Sequence, residues 1–141
     1  MTARIETPSH ALRFILAGNS TVTLRSEKTG NRYTYKVKRA KGDDENRPWF
    51  VSLMNGPDNE GSFAYMACIF GEKLVRTAKS KVSEEAPSFR AFRYTFERLM
   101  RDGEAPGVEI WHEGRCGRCN RKLTVPESIE TGIGPICAGK E

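Results

Sequence analysis

The sequence predicts an α+β fold, in which one long amphipathic helix packs across an antiparallel sheet of four or five strands. Three observations predict it: short apolar segments with a two-residue period, one stretch of aromatic residues at helical spacing, and cysteines concentrated toward the C-terminal end. A length of 141 residues suits one domain with a small module, not two ordinary domains. We therefore expect a sheet domain over residues 1–108 and a module over residues 109–141 packed on it.

The first elements are predicted to be a short helix and a β-hairpin. Thr7, followed by a proline, is typical of a helix start, and Gly18 is typical of a helix end. From Thr21 the apolar pattern takes a two-residue period, and residues 28–31 have the composition of a turn. These signals together predict two strands joined by that turn.

The return strand of this hairpin is predicted to have two different faces. Tyr33 and Tyr35 lie on one side of the strand, and Arg32, Lys36 and Lys38 lie on the other. We expect the tyrosines to pack against a helix as core. An open apolar face would instead allow them to stack on nucleic-acid bases.

The remaining elements follow in order along the chain. Residues 49–54 and 62–70 are predicted to be central strands, residues 73–77 a short strand, and residues 108–111 a last strand. Between them, a helix is expected to begin at Pro87, because apolar residues recur there at the spacing of one helical face. That apolar stripe consists of Phe89, Phe92, Phe96, Leu99 and Met100.

Several classes of protein are excluded by composition and motifs. No apolar run approaches the roughly 18 to 20 residues of a membrane span, and the first residues lack the apolar core of a secretory signal, so we expect a cytoplasmic protein. The sequence has no phosphate-binding glycine loop, no Gly-x-Ser-x-Gly turn and no His-Glu-x-x-His helix. The acidic residues 43–45 suit a solvated loop better than the metal site of a nuclease. We predict a protein that is not an enzyme.

The cysteines predict a zinc site in the C-terminal module. Cys116 and Cys119 form a Cys-x-x-Cys pair, a spacing that lets one tight turn aim two thiolates at one ion, and Cys137 is a third candidate ligand. Structural zinc takes four ligands, and His112, four residues before the pair, is the best fourth candidate. Cys68 lies in an apolar run and is expected to be a small buried hydrophobe.

The expected order of this module is that of a treble clef. A knuckle at the cysteine pair precedes a short hairpin over residues 121–125, and Cys137 begins a short terminal helix. Two alternatives remain for the cysteines: a redox pair, or thiols without a common role. A catalytic zinc is less favoured than a structural one, because four protein ligands leave no open position.

The residues from Cys116 to Cys137 resemble a known module. The sequence Cys-Gly-Arg-Cys-Asn-Arg-Lys-Leu-Thr followed by Gly-Ile-Gly-Pro-Ile-Cys is similar to the C-terminal module of a family of small phage and prophage proteins. The likeness covers residues 111–140, and the opening Phe14-Ile-Leu-Ala-Gly-Asn is similar to longer members. Asn120 stands where the family has glycine. The resemblance implies a zinc-binding, phage-type protein in a bacterial host cell and implies no activity.

The positive charge of the chain is concentrated in the hairpin. Residues 21–41 carry seven cations and one anion, whereas the formal net charge of the whole chain is +5. Such a patch can bind phosphates and release their counterions, so nucleic acid is the first predicted partner. The candidate nucleic-acid-binding residues on the hairpin and the knuckle are Arg25, Arg32, Lys36, Lys38, Arg39, Arg115, Arg118, Arg121 and Lys122.

A second partner class is left open by the same features. A small domain that has no catalytic residues and is stabilised at one end by zinc is also typical of a phage-encoded inhibitor or adaptor, for example an anti-defence or anti-CRISPR protein. Such a protein binds a host protein complex. The basic patch would then dock on an acidic protein. A steep salt dependence with DNA or RNA would distinguish the first class from the second.

Overall fold

The fold is an antiparallel sheet covered on one face by helices. The computed structural model describes residues 3–55, 63–123 and 126–134, with the side chains of residues 126–128 excepted. The strands are β1 (Ala3–Arg4), β2 (Asn19–Ser26), β3 (Arg32–Arg39), β4 (Trp49–Met54), β5 (Phe63–Phe70), β6 (Lys73–Val75) and β7 (Val108–His112). The helices are α1 (Pro8–Ile15), α2 (Pro87–Asp102) and α3 (Pro126–Thr131).

The described part of the sheet contains seven strands in the order β1-β7-β2-β3-β4-β5-β6, and every neighbouring pair is antiparallel. The predicted antiparallel α+β architecture is confirmed, whereas the predicted number of four or five strands is wrong. The two edge strands, β1 and β6, have only two and three residues. β6 lies within the short strand predicted over residues 73–77, whereas β1 was not predicted, because two residues carry no two-residue period.

The core lies between the sheet and the helices α1 and α2. Tyr35 of β3 is fully buried, its ring lies 5.0 Å from that of Phe92, and its hydroxyl donates a 2.7 Å hydrogen bond to the Ser88 carbonyl. The tyrosine therefore packs under α2, as expected. The predicted apolar stripe of α2 is confirmed as core at its four innermost positions, and the helix ends at Gly103 in the left-handed conformation.

The strand that leads into the cysteine module is an inner strand of the sheet. β7 pairs with β2 from Val22↔His112 to Ser26↔Val108, and β1 flanks it on its other side. The module therefore begins inside the sheet, next to the basic hairpin. No helix in the described ranges is long and apolar enough to cross a membrane.

Candidate metal centre and nucleic-acid interface

The Cys-x-x-Cys pair lies at the tip of a small irregular hairpin. Its base is held by a 2.8 Å bond from the Leu123 amide to the Gly114 carbonyl, and the Asn120 amide closes the tip on the Cys116 carbonyl at 2.9 Å. Asn120 has a φ of 65°, the left-handed region that glycine favours and that asparagine tolerates better than most residues. This explains why asparagine can stand where the similar family has glycine.

The thiol of Cys116 has a lowered pKa and ionises more readily than an ordinary cysteine. Burial raises its pKa, but hydrogen bonds from the backbone amides of Gly134, Cys119 and Arg118 outweigh burial and lower the pKa to about 7. The Arg118 amide lies 3.4 Å from the Cys116 sulfur. Amides converging on a sulfur favour the thiolate, which is the form that binds a metal.

The other predicted ligands are only partly assembled in the described residues. Cys119 is exposed beside Cys116, and Cys137 lies outside the described residues. Among the residues that are described, no group of three or more histidine, cysteine, aspartate or glutamate side chains could hold a metal ion. The zinc site therefore remains a prediction. The terminal helix expected at Cys137 also lies outside the described ranges, and the short helix that is described, α3, was not predicted.

His112 is buried, and both of its ring nitrogens have hydrogen-bond partners. Nδ1 accepts a 2.9 Å bond from the Gly114 amide, and Nε2 lies 2.5 Å from the Ile129 carbonyl oxygen. This pattern corresponds to the tautomer with its proton on Nε2. Burial lowers the pKa of His112, which favours the neutral ring. The His112 ring thus links β7 to the cysteine hairpin, through Gly114, and to α3, through Ile129. To bind zinc, the ring would have to lose one of these two hydrogen bonds.

The knuckle packs on the first helix through one aromatic side chain. Phe14 is fully buried, its ring lies 5.8 Å from that of His112, and it touches two glycines of the module. A methyl group added to Gly117 would lie 2.7 Å from Phe14 Cδ1, and one added to Gly132 would lie 2.5 Å from the same atom. These glycines therefore provide the space in which the phenylalanine ring sits.

The face of the sheet opposite the helices carries the basic residues of the hairpin. In β3, Arg32, Lys36 and Lys38 alternate with the buried Tyr35 and Val37, so they project from this open face. Within the described residues none of these three cations forms an ion pair with a carboxylate. The predicted basic face is therefore present, and its three cations have no carboxylate in ion-pair contact within the described part of the chain.

Two other predicted hairpin cations have partners in the fold. The Arg25 guanidinium forms a 2.7 Å ion pair with Glu109, so its charge is already neutralised. Arg39 lies with its guanidinium carbon 4.5 Å from the centre of the Trp49 ring, and its Nη2 donates to the Glu45 carbonyl. Its buried Nε has no hydrogen-bond acceptor among the described residues.

A basic cavity joins the hairpin to the knuckle. It has a volume of about 570 Å³ and lies between the end of α1, the ends of the hairpin strands and the cysteine hairpin. Its cationic lining consists of Arg13, Arg39, Lys41, Arg47 and Arg118. Arg13 and Arg47 were not predicted to belong to the site, because they lie outside the basic run, one in α1 and the other in the loop before β4.

The four knuckle cations, Arg115, Arg118, Arg121 and Lys122, are all exposed. Arg115 donates a 3.2 Å bond to the Asn120 carbonyl, and only Arg118 lines the basic cavity. The structure thus brings Arg118 together with hairpin cations. It does not assemble the whole predicted set into one cluster.

Exposed aromatic side chains are a further part of the open face that sequence reasoning missed. Phe50 of β4 is 43% exposed and Phe70 of β5 is 51% exposed. Both strands were predicted to be central. The signal was present in the alternation of β4, where Phe50 shares a face with the polar Ser52, but an aromatic residue in a strand is usually assigned to the core.

Comparison with known proteins gives one match. Residues 111–141 match a family of unknown function, DUF6011. The match covers the last two residues of β7 and the rest of the C-terminal module, and leaves the remainder of the sheet outside it. No curated protein and no solved structure is similar enough to the chain to count as a match.

Proposed function

We propose that this protein is a non-enzymatic, zinc-binding accessory protein of phage type that binds nucleic acid through its basic hairpin and its knuckle. The observation that carries the proposal is the uncompensated charge of Arg32, Lys36 and Lys38 on the open face of β3. Cations that already have carboxylate partners gain little from phosphates. These three have none among the described residues, so each can neutralise a phosphate and release its counterion.

The basic cavity supports a shared role for the hairpin and the knuckle. Arg39 and Lys41 from the hairpin line the same cavity as Arg118 from the knuckle, at the end of β3 to which Lys38 also belongs. Because Arg39 follows Lys38 in β3 and projects toward the helix side, a phosphate backbone on the open face would pass around the end of β3 to reach this cavity.

The nucleic-acid proposal is tested by the salt dependence of binding. Fluorescence anisotropy with labelled single-stranded and duplex DNA and RNA, at several salt concentrations, should give an affinity that falls steeply with salt. For a single strand, the variant Lys36→Glu/Lys38→Glu should lower the slope of log K against log salt by about 1.4 or more, because two phosphate contacts are lost. The control is Lys79→Glu/Arg90→Glu, which makes the same charge change at exposed positions on α2 and the loop before it. Equal effects of the two variants would contradict the proposal.

The proposed zinc ligands are Cys116, Cys119 and Cys137, with His112 as the fourth. The low pKa of Cys116 supports this set, because a thiol that ionises near neutral pH binds a cation readily. Metal analysis of the purified protein should give about one zinc per chain, and Cys116→Ser should lose it. Cys68→Ala, which alters a buried cysteine outside the module, is the control.

The role of His112 needs its own test, because its ring nitrogens already have partners. The visible absorption spectrum of the cobalt-substituted protein distinguishes three sulfurs and one nitrogen from other ligand sets. A change of this spectrum in His112→Asn would support ligation by the ring. An unchanged spectrum in a folded variant would assign His112 to the hydrogen bonds it makes in the fold.

The alternative proposal is a phage-encoded inhibitor or adaptor that binds a host protein complex. The exposed rings of Phe50 and Phe70 favour it, because solvent-facing aromatic residues are common at protein interfaces. A salt-tolerant complex with one host protein, with no binding to nucleic acid at low salt, would replace the first proposal with this one.

A further inference from the structure

We propose that the nucleic acid is single-stranded and that its bases stack on aromatic side chains of β4 and β5 while its phosphates meet the cations of β3. This inference rests on the proposed nucleic-acid function and specifies its ligand. The surface concerned is the open face of β3, β4 and β5, which we call the stacking face. Its aromatic members are Phe50, Phe63, Tyr65 and Phe70.

The strand register sets cations beside aromatic rings. Lys38 of β3 is the direct partner of Phe50 of β4, and Phe50 is the partner of Cys68 of β5. One row to the side, Lys36 pairs with Ser52, which pairs with Tyr65. Neighbouring strands lie about 4.8 Å apart. Lys38 therefore lies directly beside Phe50, whereas Lys36 is separated from Tyr65 by the small residue Ser52.

Two of the four rings of the stacking face are exposed, and one of these two contacts a third ring. Phe50 and Phe70 are about half exposed, and the Phe50 ring meets that of Tyr65 edge to face at a centroid distance of 6.3 Å. The Lys36 ammonium lies 5.9 Å from the centre of the Phe63 ring. An exposed ring offers a flat surface on which any base can stack, so this arrangement suits binding with little sequence preference.

The charge of the open face favours β3, β4 and β5 over the β7 side. In the register of the described residues, the open-face positions of these three strands hold no carboxylate. Toward β7, Glu109 is paired with Arg25, and the Glu113 carboxylate accepts a hydrogen bond from Thr23. Phosphates are therefore attracted to the β3 side of the face and repelled near β7.

A single strand fits this surface better than a duplex. Bases in a duplex are stacked on one another and expose only their edges in the grooves, whereas bases of a single strand can turn their faces to aromatic side chains. The cations of β3, which have no carboxylate partner in the described ranges, would not attract an apolar protein segment. The combination of free cations and open rings therefore favours a polyanion with aromatic bases.

The test compares aromatic variants with charge variants of the zinc-loaded protein. Phe50→Leu/Phe70→Leu keeps apolar side chains and removes two rings, and it should weaken binding of labelled oligothymidylate about fivefold or more. The salt slope should stay unchanged, because no cation is lost. Tyr94→Leu, which removes an exposed ring from α2, is the matched control and should leave affinity unchanged. Phe50→Trp should retain binding, and an oligonucleotide containing 2-aminopurine should lose fluorescence as its base stacks.

The outcomes separate this inference from the function on which it rests. If wild-type protein binds nucleic acid with a steep salt slope but the double leucine variant binds equally well, or duplex binds as tightly as single strand, the stacking inference is overturned and the proposed function stands. If wild-type protein binds no nucleic acid at low salt, both fail. If wild-type protein binds no nucleic acid but captures a host protein, and Phe50→Leu/Phe70→Leu no longer captures it, the stacking face binds a protein partner.

Discussion

The contact between Phe14 and the two glycines of the module makes a quantitative prediction. In Gly132→Ala the new methyl carbon would lie 2.5 Å from Phe14 Cδ1 and 3.1 Å from Cγ of the same ring. The ring is fully buried in the core and cannot swing into solvent. Overpacking of this kind costs about 1–3 kcal/mol, to which the left-handed backbone at a φ of 77° adds about 1–2 kcal/mol.

Gly103→Ala isolates the steric part of this cost. Gly103 has the same φ of 77° and also follows a helix, but a methyl group there would meet nothing within 4 Å. The backbone penalty therefore cancels when the two variants are compared. We expect urea unfolding to place Gly132→Ala about 1–3 kcal/mol below Gly103→Ala in free energy of unfolding.

A double variant tests whether Phe14 is the cause. Phe14→Leu shortens the ring that the methyl group would meet, so Gly132→Ala should cost less in that background, with a coupling of about 0.5–3 kcal/mol. Equal stability of Gly132→Ala and Gly103→Ala, or no coupling with Phe14→Leu, would refute the close packing of the module on α1.

Three further predictions follow from the core and from the cysteine hairpin. Tyr35→Phe removes the hydrogen bond to the Ser88 carbonyl and should lower the free energy of unfolding by about 1 kcal/mol in urea titrations; an unchanged value would mean that the bond adds nothing. In zinc-free protein Cys116 should be alkylated by iodoacetamide with a midpoint near its pKa of about 7, as mapped by mass spectrometry, and zinc should protect it; a midpoint near 9 would contradict the role of the amides. Because the pKa of Cys116 is lower in the folded than in the unfolded chain, zinc-free protein should gain stability as pH rises from about 7 to 9. In the zinc-loaded protein, chelation of zinc should lower the melting temperature, and an unchanged melting temperature would refute a structural zinc.

The strands and helices with clear periods were predictable from the sequence. The turn at residues 28–31 fixed the β2–β3 hairpin, and the apolar stripe from Phe89 to Leu99 fixed α2. The edge strand β6 was predicted as part of residues 73–77, but the edge strand β1 was not, because its two residues are defined by pairing with β7 and not by a local pattern. α3 was missed for a similar reason, since its six residues are too few for a helical period.

The candidate site was predictable where it depends on local spacing. The Cys-x-x-Cys spacing correctly predicted that Cys116 lies in a tight turn. The alternation of β3 correctly predicted that Lys36 lies on its outer face. The ion pair of Arg25 with Glu109 and the cavity shared by Arg39 and Arg118 bring together residues far apart in the chain. Such contacts depend on sheet order, and the sequence contains no signal that places β7 beside β2.

The most direct test of nucleic-acid binding on the open face is a map of amide chemical shifts. Oligothymidylate is titrated into isotope-labelled, zinc-loaded protein at low salt. We predict the largest changes along the stacking face, at Lys38, Phe50 and Phe70, with α2 unaffected. Changes confined to α2, or none at saturating oligonucleotide, would contradict the account.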